Sequence, residues 1–228
     1  MGIQSGPTAR AFLAQLRTLR PRGGAGAASA RVPMRDIFAL AKEFIDLPPP
    51  EIEVLLDRKD HGARVGAVSI MDWQARRKST PPERRRELFD LYVRRHDRID
   101  NWDLVDRSAP SVVGGYLFDR SRDQLYRFAR SKSQWERRSA IVATYYFIRK
   151  GDLEDTFAIA EILIDDESDL VQRAVGGWVR EAGKRDPKRL RRFLDRHAAS
   201  MPRTMLRYAI GHLDAKAKRH YLGLRVDA

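Results

Sequence analysis

Evenly spaced helical segments constrain the fold of this chain more than any other feature of its sequence. From residue 33 onward the apolar residues recur with the period of a helix, and the alternating pattern of β-strands is absent. The segments form pairs, and four successive first helices begin at Asn101, Gln134, Asp169 and Pro202, about 33 to 35 residues apart. Steps of this size are typical of stacked helical pairs, in which each pair buries its apolar face against its neighbours.

We therefore predict an all-α fold: an α-solenoid of about six HEAT-like antiparallel helix pairs, curved, with a basic concave face. The predicted pairs, in chain order, are 34–44 with 51–58, 61–77 with 82–95, 101–118 with 122–129, 134–150 with 153–163, 169–183 with 187–197, and 202–213 with 215–222. Residues 1–30 are predicted to form a separate segment, a helix over 8–20 followed by a flexible Gly/Ala-rich link at 23–30. Residues 31–228 then form the helical-repeat domain.

The charge balance indicates a polyanionic partner. The 228 residues include 44 Lys and Arg against 31 Asp and Glu, a net charge of +13. This excess favours nucleic acid or an anionic surface over a small metabolite, although any single basic cluster is most simply a solvated face. Clusters on the later pairs supply candidate phosphate contacts, namely Arg137, Arg138, Arg203 and Arg207.

Several functional classes are excluded by what the sequence lacks. There is no cysteine, which rules out disulfides and thiolate metal sites and suits a reducing cytoplasm. No apolar run has the length of a membrane span, so we expect no membrane association. The histidines lack metal-ligand spacing and are expected at the surface or at helix ends. Phosphate-binding glycine loops and serine-nucleophile motifs are also missing.

The run Asn101-Trp102-Asp103-Leu104-Val105-Asp106 carries the most specific chemistry in the sequence. Asp106 follows Trp102 by four residues, so both side chains project from one face of a helix. An indole face attracts positive charge and a carboxylate supplies a full negative charge, so the pair can receive a cation. Trp102 and Asp106 are therefore the candidate catalytic residues. Asp103 is expected to cap the helix or to form a salt bridge at its N-terminal end.

Other tryptophans and glycines have simpler interpretations. Trp73 and Trp135 are expected in the core. Gly151 and Gly183 are expected to end helices in the left-handed conformation. The glycine pairs at 114–115 and 176–177 fall inside helical segments, and they predict close packing between helices.

Five motifs occur in order between residues 31 and 222: Val32-Pro33 with Leu40-Ala41-Lys42-Glu43-Phe44; Asn101-Trp102-Asp103-Leu104-Val105-Asp106; Trp135-Glu136-Arg137-Arg138-Ser139-Ala140-Ile141; Arg180-Glu181 with Gly183-Lys184-Arg185-Asp186; and Met201-Pro202-Arg203-Thr204-Met205-Leu206-Arg207-Tyr208-Ala209-Ile210. In these motifs the chain resembles the bacterial DNA alkylation repair family of HEAT-like DNA glycosylases, the AlkD-like proteins. Any one motif alone would be weak, whereas the ordered set is specific.

The resemblance implies a monofunctional enzyme that hydrolyses the N-glycosidic bond of cationic alkylated purines, of the 3-methyladenine and 7-methylguanine types, in duplex DNA. It implies no metal or organic cofactor, and a lesion that stays largely stacked. Asp106 would stabilise the oxocarbenium-like sugar and position water, Trp102 would contact the deoxyribose, and Arg138 would hold a phosphate near the lesion. Such an enzyme would act as a cytoplasmic, nucleoid-associated monomer without an obligate protein partner.

Two departures from the family pattern affect the site. The family usually has a tryptophan where Gly177 stands here, and the indole is moved one residue on, to Trp178. One residue turns a helix face by about 100°, so Trp178 would reach the DNA from the family's position only if the helix is locally adjusted. The family also usually has an aromatic residue in the segment that is Gly/Ala-rich here. Either change would shift the lesion range, including toward bulkier adducts, or lower activity.

Two other functions fit the same composition. One is a non-catalytic binder of damaged or branched DNA, which would use the basic face without releasing a base. The other is a helical-repeat scaffold for an acidic protein. Trp102 with Asp106 separates the enzyme from both alternatives.

Overall fold

Every regular element that the structure describes is a helix, which confirms the predicted all-α class. The structure is a computed structural model, and it describes residues 6–19 and 32–224. The predicted Gly/Ala-rich link at 23–30 and the boundary at residue 30 lie outside these residues. The chain divides into two compact units, Met1–Tyr116 and Leu117–Ala228. No helix in the described ranges has both the length and the apolar character needed to cross a bilayer.

The first unit is built from two rows of helices. Its elements are α1 (Ala9–Thr18), α2 (Met34–Glu43), α3 (Pro49–Leu56), α4 (His61–Arg76), α5 (Pro82–Arg94), a 3₁₀ turn (His96–Arg98), α6 (Trp102–Ser108), a π-helix (Ala109–Gly114) and α7 (Gly115–Leu117), where the unit ends. Helices α2, α4 and α6 pack in series as one row, and α3 and α5 form a second row against α4. Such rows are what the stacking of helical pairs produces. The number of pairs and the curvature stay predictions.

Helix α1 packs into this first unit. The side-chain oxygen of Thr8 caps the helix by accepting a hydrogen bond from the N–H of Ala11 at 3.2 Å. Phe12 is fully buried, and its ring lies 5.3 Å from that of Phe44 in an edge-to-face arrangement. A Cβ at Gly66 of α4 would lie 2.2 Å from the Phe12 ring. The absence of a side chain at Gly66 is therefore what lets α1 approach α4.

The second unit repeats the two-row arrangement. Its helices are α8 (Asp123–Ala129), α9 (Gln134–Ala143), α10 (Tyr145–Lys150), α11 (Glu154–Ile162), α12 (Asp169–Arg185), α13 (Pro187–His197), α14 (Arg203–Ala209) and α15 (Ala215–Gly223). Helices α9, α12 and α14 pack in series, while α8 packs on α9 and α11, and α13 packs on α12. At the crossing of α12 with α14, a Cβ at Gly176 would lie 2.3 Å from the carbonyl oxygen of Met205. The prediction of close packing is confirmed at Gly176 and is wrong at Gly177, where a Cβ would meet no atom within 4 Å.

The two glycines predicted at helix ends behave differently. Gly151 has φ of +83° and ends α10 in the left-handed conformation, as predicted. Gly183 lies inside α12, so its prediction is wrong. A Cβ at Gly183 would lie 2.5 Å from Cδ2 of Leu190. Gly183 is therefore required by the close approach of α13, and α12 continues to Arg185 before the turn into Pro187.

Two helices predicted as continuous are interrupted. The predicted helix 101–118 consists of α6, the π-helix and α7. The predicted helix 134–150 breaks at Thr144, whose N–H and hydroxyl both donate to the carbonyl oxygen of Ile141. Because that bond spans three residues rather than four, the turn tightens there and α9 ends.

Candidate functional site

Helix α6 presents the Trp102 indole to solvent and leaves Asp106 partly exposed. The chain enters α6 in an extended conformation at Asn101, with φ of −147° and ψ of 150°. Leu104 and Val105 are fully buried, while Trp102 is 52 % exposed and Asp106 is half-buried. Since Trp102 and Asp106 are one helical turn apart, both lie on the side of α6 away from the core. The Asp106 carboxylate is thus not sealed inside the protein.

A π-helix begins three residues after Asp106, and Pro110 explains it. In an α-helix the N–H of residue 110 would donate to the carbonyl of Asp106, but proline has no N–H. The backbone widens into Ala109–Gly114, where the N–H of Gly115 donates to the carbonyl of Pro110. Such wide turns occur frequently at functional sites. The sequence interpretation missed this turn, although Pro110 was its visible signal.

Polar contacts hold α6 against α4. Nε2 of His61 lies 2.7 Å from Oδ2 of Asp103. Nε of Arg107 donates to Oγ of Ser69 at 3.3 Å, and its Nη2 lies 3.4 Å from Oδ2 of Asp72. Asp103 was expected either to cap α6 or to form a salt bridge at its N-terminal end. α6 has no side-chain cap, and the partner of Asp103 at that end is His61 of α4. Helix α6 has only seven residues, and Asp103 and Arg107 fix it to α4 near both of its ends. These contacts therefore determine the orientation of the exposed side of α6, which carries Trp102 and Asp106.

Arg107 lies between aromatic rings next to Asp106 in the chain. Its guanidinium carbon is 4.5 Å from the ring centre of Phe38 and 5.2 Å from that of Trp73. Burial lowers the pKa of Arg107, and the neighbouring Asp72 carboxylate opposes that shift. Trp73 and Trp135 are both half-buried, so the prediction that they lie in the core is wrong. At Trp73, cationic side chains cover part of the ring.

The predicted basic residues of the second unit differ in exposure. Arg137 forms a two-bond ion pair with Asp166, with N···O distances of 2.6 and 3.2 Å, and a phosphate would have to displace it. Arg138 is only 8 % exposed, and its Nη1 donates to the carbonyl oxygen of Leu170. Arg203 and Arg207 are exposed on α14. The last two are therefore the accessible cations of the predicted set.

Trp178 packs on Tyr145, a residue that the sequence had not indicated as part of the site. Its ring stacks on that of Tyr145 with the ring centres 4.6 Å apart and an angle of 30° between the planes. Both residues are half-buried, whereas Gly177, at the family's tryptophan position, has open space where a side chain would project. The shifted indole is thus packed on α10. Trp102 with Asp106 lies in the first unit, and the basic residues and Trp178 lie in the second.

Metal-ligating groups do not cluster in the described part of the chain. No group of three or more His, Asp or Glu side chains there is placed to hold an ion. His96 is 5 % exposed and packs on the ring of Tyr92, with the ring centres 5.4 Å apart. It occupies a helix end, as expected, but it is buried because the 3₁₀ turn folds it back onto α5.

Comparison with known proteins gives one clear match. A sequence model of the DNA alkylation repair enzymes matches residues 27–213, about four fifths of the chain. Among curated individual proteins, no sequence matches significantly. The matched range includes α2 to α14, and with them α6 and every predicted site residue. This chain therefore belongs to the family of DNA alkylation repair enzymes, and its role is in DNA repair.

Proposed function

We propose that this protein is a monofunctional DNA glycosylase that hydrolyses the N-glycosidic bond of cationic alkylated purines in duplex DNA. The observation that carries the proposal is the pairing on α6 of an indole that is 52 % exposed with a partly exposed carboxylate one turn later. The protein around this carboxylate has a net charge of +13, which attracts DNA. A partly exposed carboxylate within such a basic protein suits a reaction that develops positive charge on a sugar.

The proposed reaction breaks the bond between C1′ of the deoxyribose and the purine nitrogen. The electron pair of that bond leaves with the alkylated purine and neutralises its positive charge, so departure needs no strong general acid. Positive charge then develops on the sugar, where the Asp106 carboxylate stabilises it. A water molecule, oriented by the same carboxylate, adds to C1′ and gives up a proton to Asp106 and then to solvent.

The remaining residues would bind the DNA itself. The Trp102 ring offers its face to the deoxyribose, whose developing charge it favours. Arg203 and Arg207 are exposed cations suited to phosphate contacts. Arg138 keeps the phosphate-binding role that the family resemblance gives it, although it is largely buried. We expect a monomer that acts on the nucleoid without a protein partner or a cofactor.

The test is release of free base from duplex DNA that carries N-methylpurines. We expect Asp106→Asn to lower the single-turnover rate by about 100-fold or more, the size of loss typical for one transition-state electrostatic contact. Asp119→Asn, which neutralises an exposed carboxylate in the turn after α7, is the matched control and should keep full activity.

If the wild-type protein releases no base from methylated or bulky-alkylated purine duplexes, the enzymatic proposal is wrong. Tight binding to damaged duplexes without release, unchanged in Asp106→Asn, would instead identify a non-catalytic DNA binder.

A further inference from the structure

Three cationic side chains from three helices surround the indole of Trp73. Nζ of Lys42 on α2 lies 5.5 Å from the ring centre, and the guanidinium carbons of Arg76 on α4 and Arg107 on α6 lie at 5.3 and 5.2 Å. Lys42, Trp73, Arg76 and Arg107, with the carboxylate of Asp72, are named the Trp73 cluster below. All of its members belong to the first unit and to the row of helices that carries Asp106.

The Trp73 cluster has more positive charge than the protein neutralises. Asp72 is buried and lies 3.3 Å from Arg76 and 3.4 Å from Arg107, so one carboxylate serves two guanidinium groups. Lys42 is exposed, and no acidic side chain of the described residues forms an ion pair with it. Three cations against one anion leave a net charge of two positive. Like charges held this close repel one another unless an anion joins them.

The Trp73 indole holds the three cations together and leaves N–H groups of the exposed ones facing solvent. Contacts with the Trp73 face stabilise each cation and restrict its motion. Arg107 is largely covered, whereas the Arg76 side chain is 50 % exposed and Lys42 is exposed. The two exposed groups therefore present restrained N–H donors to solvent, and part of the entropy cost of binding an anion is already met.

We propose that the Trp73 cluster is a binding site for a phosphodiester of the DNA backbone, with Lys42 and Arg76 as the contacts and with Trp73 and Arg107 as their support. The inference deepens the proposed function, because it depends on DNA as the partner. Its place on the row of helices that carries Asp106 has a physical reason. A carboxylate that approaches a polyanion is repelled, and a net charge of two positive on the same row of helices offsets that repulsion.

The test measures binding to undamaged duplex DNA, so that it does not depend on base release. The variant Lys42→Gln/Arg76→Gln is compared with Lys59→Gln/Arg86→Gln, which removes the same charge from two exposed residues of the same unit. Fluorescence anisotropy with a labelled duplex gives Kd from about 50 to 300 mM salt. Each phosphate contact contributes about 0.9 to the slope of log K against log salt. We expect the first variant to lower that slope by about 1 to 2 and to weaken binding about 10-fold at low salt, while the control stays within about 2-fold of the wild type.

Equal losses in the two double variants would mean that only overall charge matters, and would overturn the proposal, as would an unchanged slope in the first. If Arg76→Gln unfolds the protein because Asp72 loses a partner, Lys42→Gln alone decides the question, with an expected loss of about 1 in slope. Poly-glutamate that competes as well as duplex DNA would point to an acidic protein partner and also overturn it. If the Lys42→Gln/Arg76→Gln variant lowers the salt slope but the wild-type protein releases no base, the phosphate site stands and only the proposed glycosylase activity is wrong.

Discussion

His61 and Asp103 form a direct contact, Nε2 to Oδ2 at 2.7 Å, which ties the first residue of α4 to the residue after Trp102. The Asp103 side chain is only 13 % exposed, so it depends on this partner. We expect His61→Ala to lower the free energy of unfolding by about 1–3 kcal/mol, the usual result of leaving a buried polar group without its partner. Urea unfolding of His61→Ala, Asp103→Ala and the double variant measures the unfolding free energies. If the loss in the double variant equals the sum of the two single losses, the residues are not coupled.

Pro110 controls the backbone turn at Asp106, and its replacement should restore a normal α-helix there. An alanine in its place would supply the missing N–H to the Asp106 carbonyl and would change the backbone turn that follows Asp106, and with it the orientation of α6 against its neighbours. We expect Pro110→Ala to keep or raise the thermal stability but to lower base release about 10-fold, since small misplacements of reacting groups are costly. Pro82→Ala, at the first position of α5 where no N–H is needed, is the control. A Pro110→Ala variant as active as the wild type would contradict this account of the π-helix.

The neighbouring glycines Gly176 and Gly177 form a matched pair for testing the contact between α12 and α14. A Cβ at Gly176 would lie 2.3 Å from the Met205 carbonyl and 2.7 Å from Cβ of Tyr208, so the helices would have to move apart. We expect Gly176→Ala to destabilise the protein by about 1–3 kcal/mol. Gly177→Ala meets no atom within 4 Å and should stabilise it by up to about 1 kcal/mol through helix propensity. Chemical denaturation compares the two, and equal effects would refute the packing argument.

Arg95 should make the protein sensitive to acid. Hydrogen bonds from its guanidinium hold the pKa of Glu53 below its ordinary value of 4.5 and the pKa of Asp57 below 3.8. Carboxylates with a lowered folded-state pKa contribute stability that is complete above the ordinary pKa and is lost as the pH falls through the folded value. The wild-type unfolding free energy should therefore fall below pH 4.5. Arg95→Gln should be less stable at pH 7 and should lose less on acidification. Urea midpoints at pH 7, 5, 4 and 3 measure both curves, and Arg86→Gln, an exposed cation on α5, should follow the wild type.

The helical periods in the sequence predicted the existence of the elements well, because apolar spacing reports directly which face of a helix is buried. Helix α13 has the predicted bounds, Pro187–His197. The break at Pro110 escaped this reasoning because Val112 and Val113 continue the apolar pattern across it and are buried. Apolar periodicity does not register a lost hydrogen bond. Gly183 was misinterpreted for a related reason: its role is to admit Leu190, a contact that local sequence does not encode.

The sequence predicted only that part of the candidate site whose residues lie close together in the chain. Trp102 and Asp106 lie four residues apart on one helix, so their spacing alone predicted a shared face. The contacts around them join distant parts of the chain. His61 and Asp103 are 42 residues apart, and Lys42 reaches Trp73 from another helix. Such pairs follow from how α2, α4 and α6 pack, which no pattern within one helix determines.

The solvent exposure of Trp102 has an energetic consequence for any complex. Among the described residues, few large apolar side chains are exposed: Val54, Trp102 and Tyr208. Hydrophobic free energy is gained only when apolar surface leaves water, at about 25 cal/mol per Å². Folding has therefore gained little hydrophobic free energy from the outer face of the Trp102 ring. A partner that covers this face on binding would gain that free energy. Truncation of the Trp102 side chain should therefore leave the folding stability of the free protein almost unchanged, while it lowers the affinity for a partner that covers the ring.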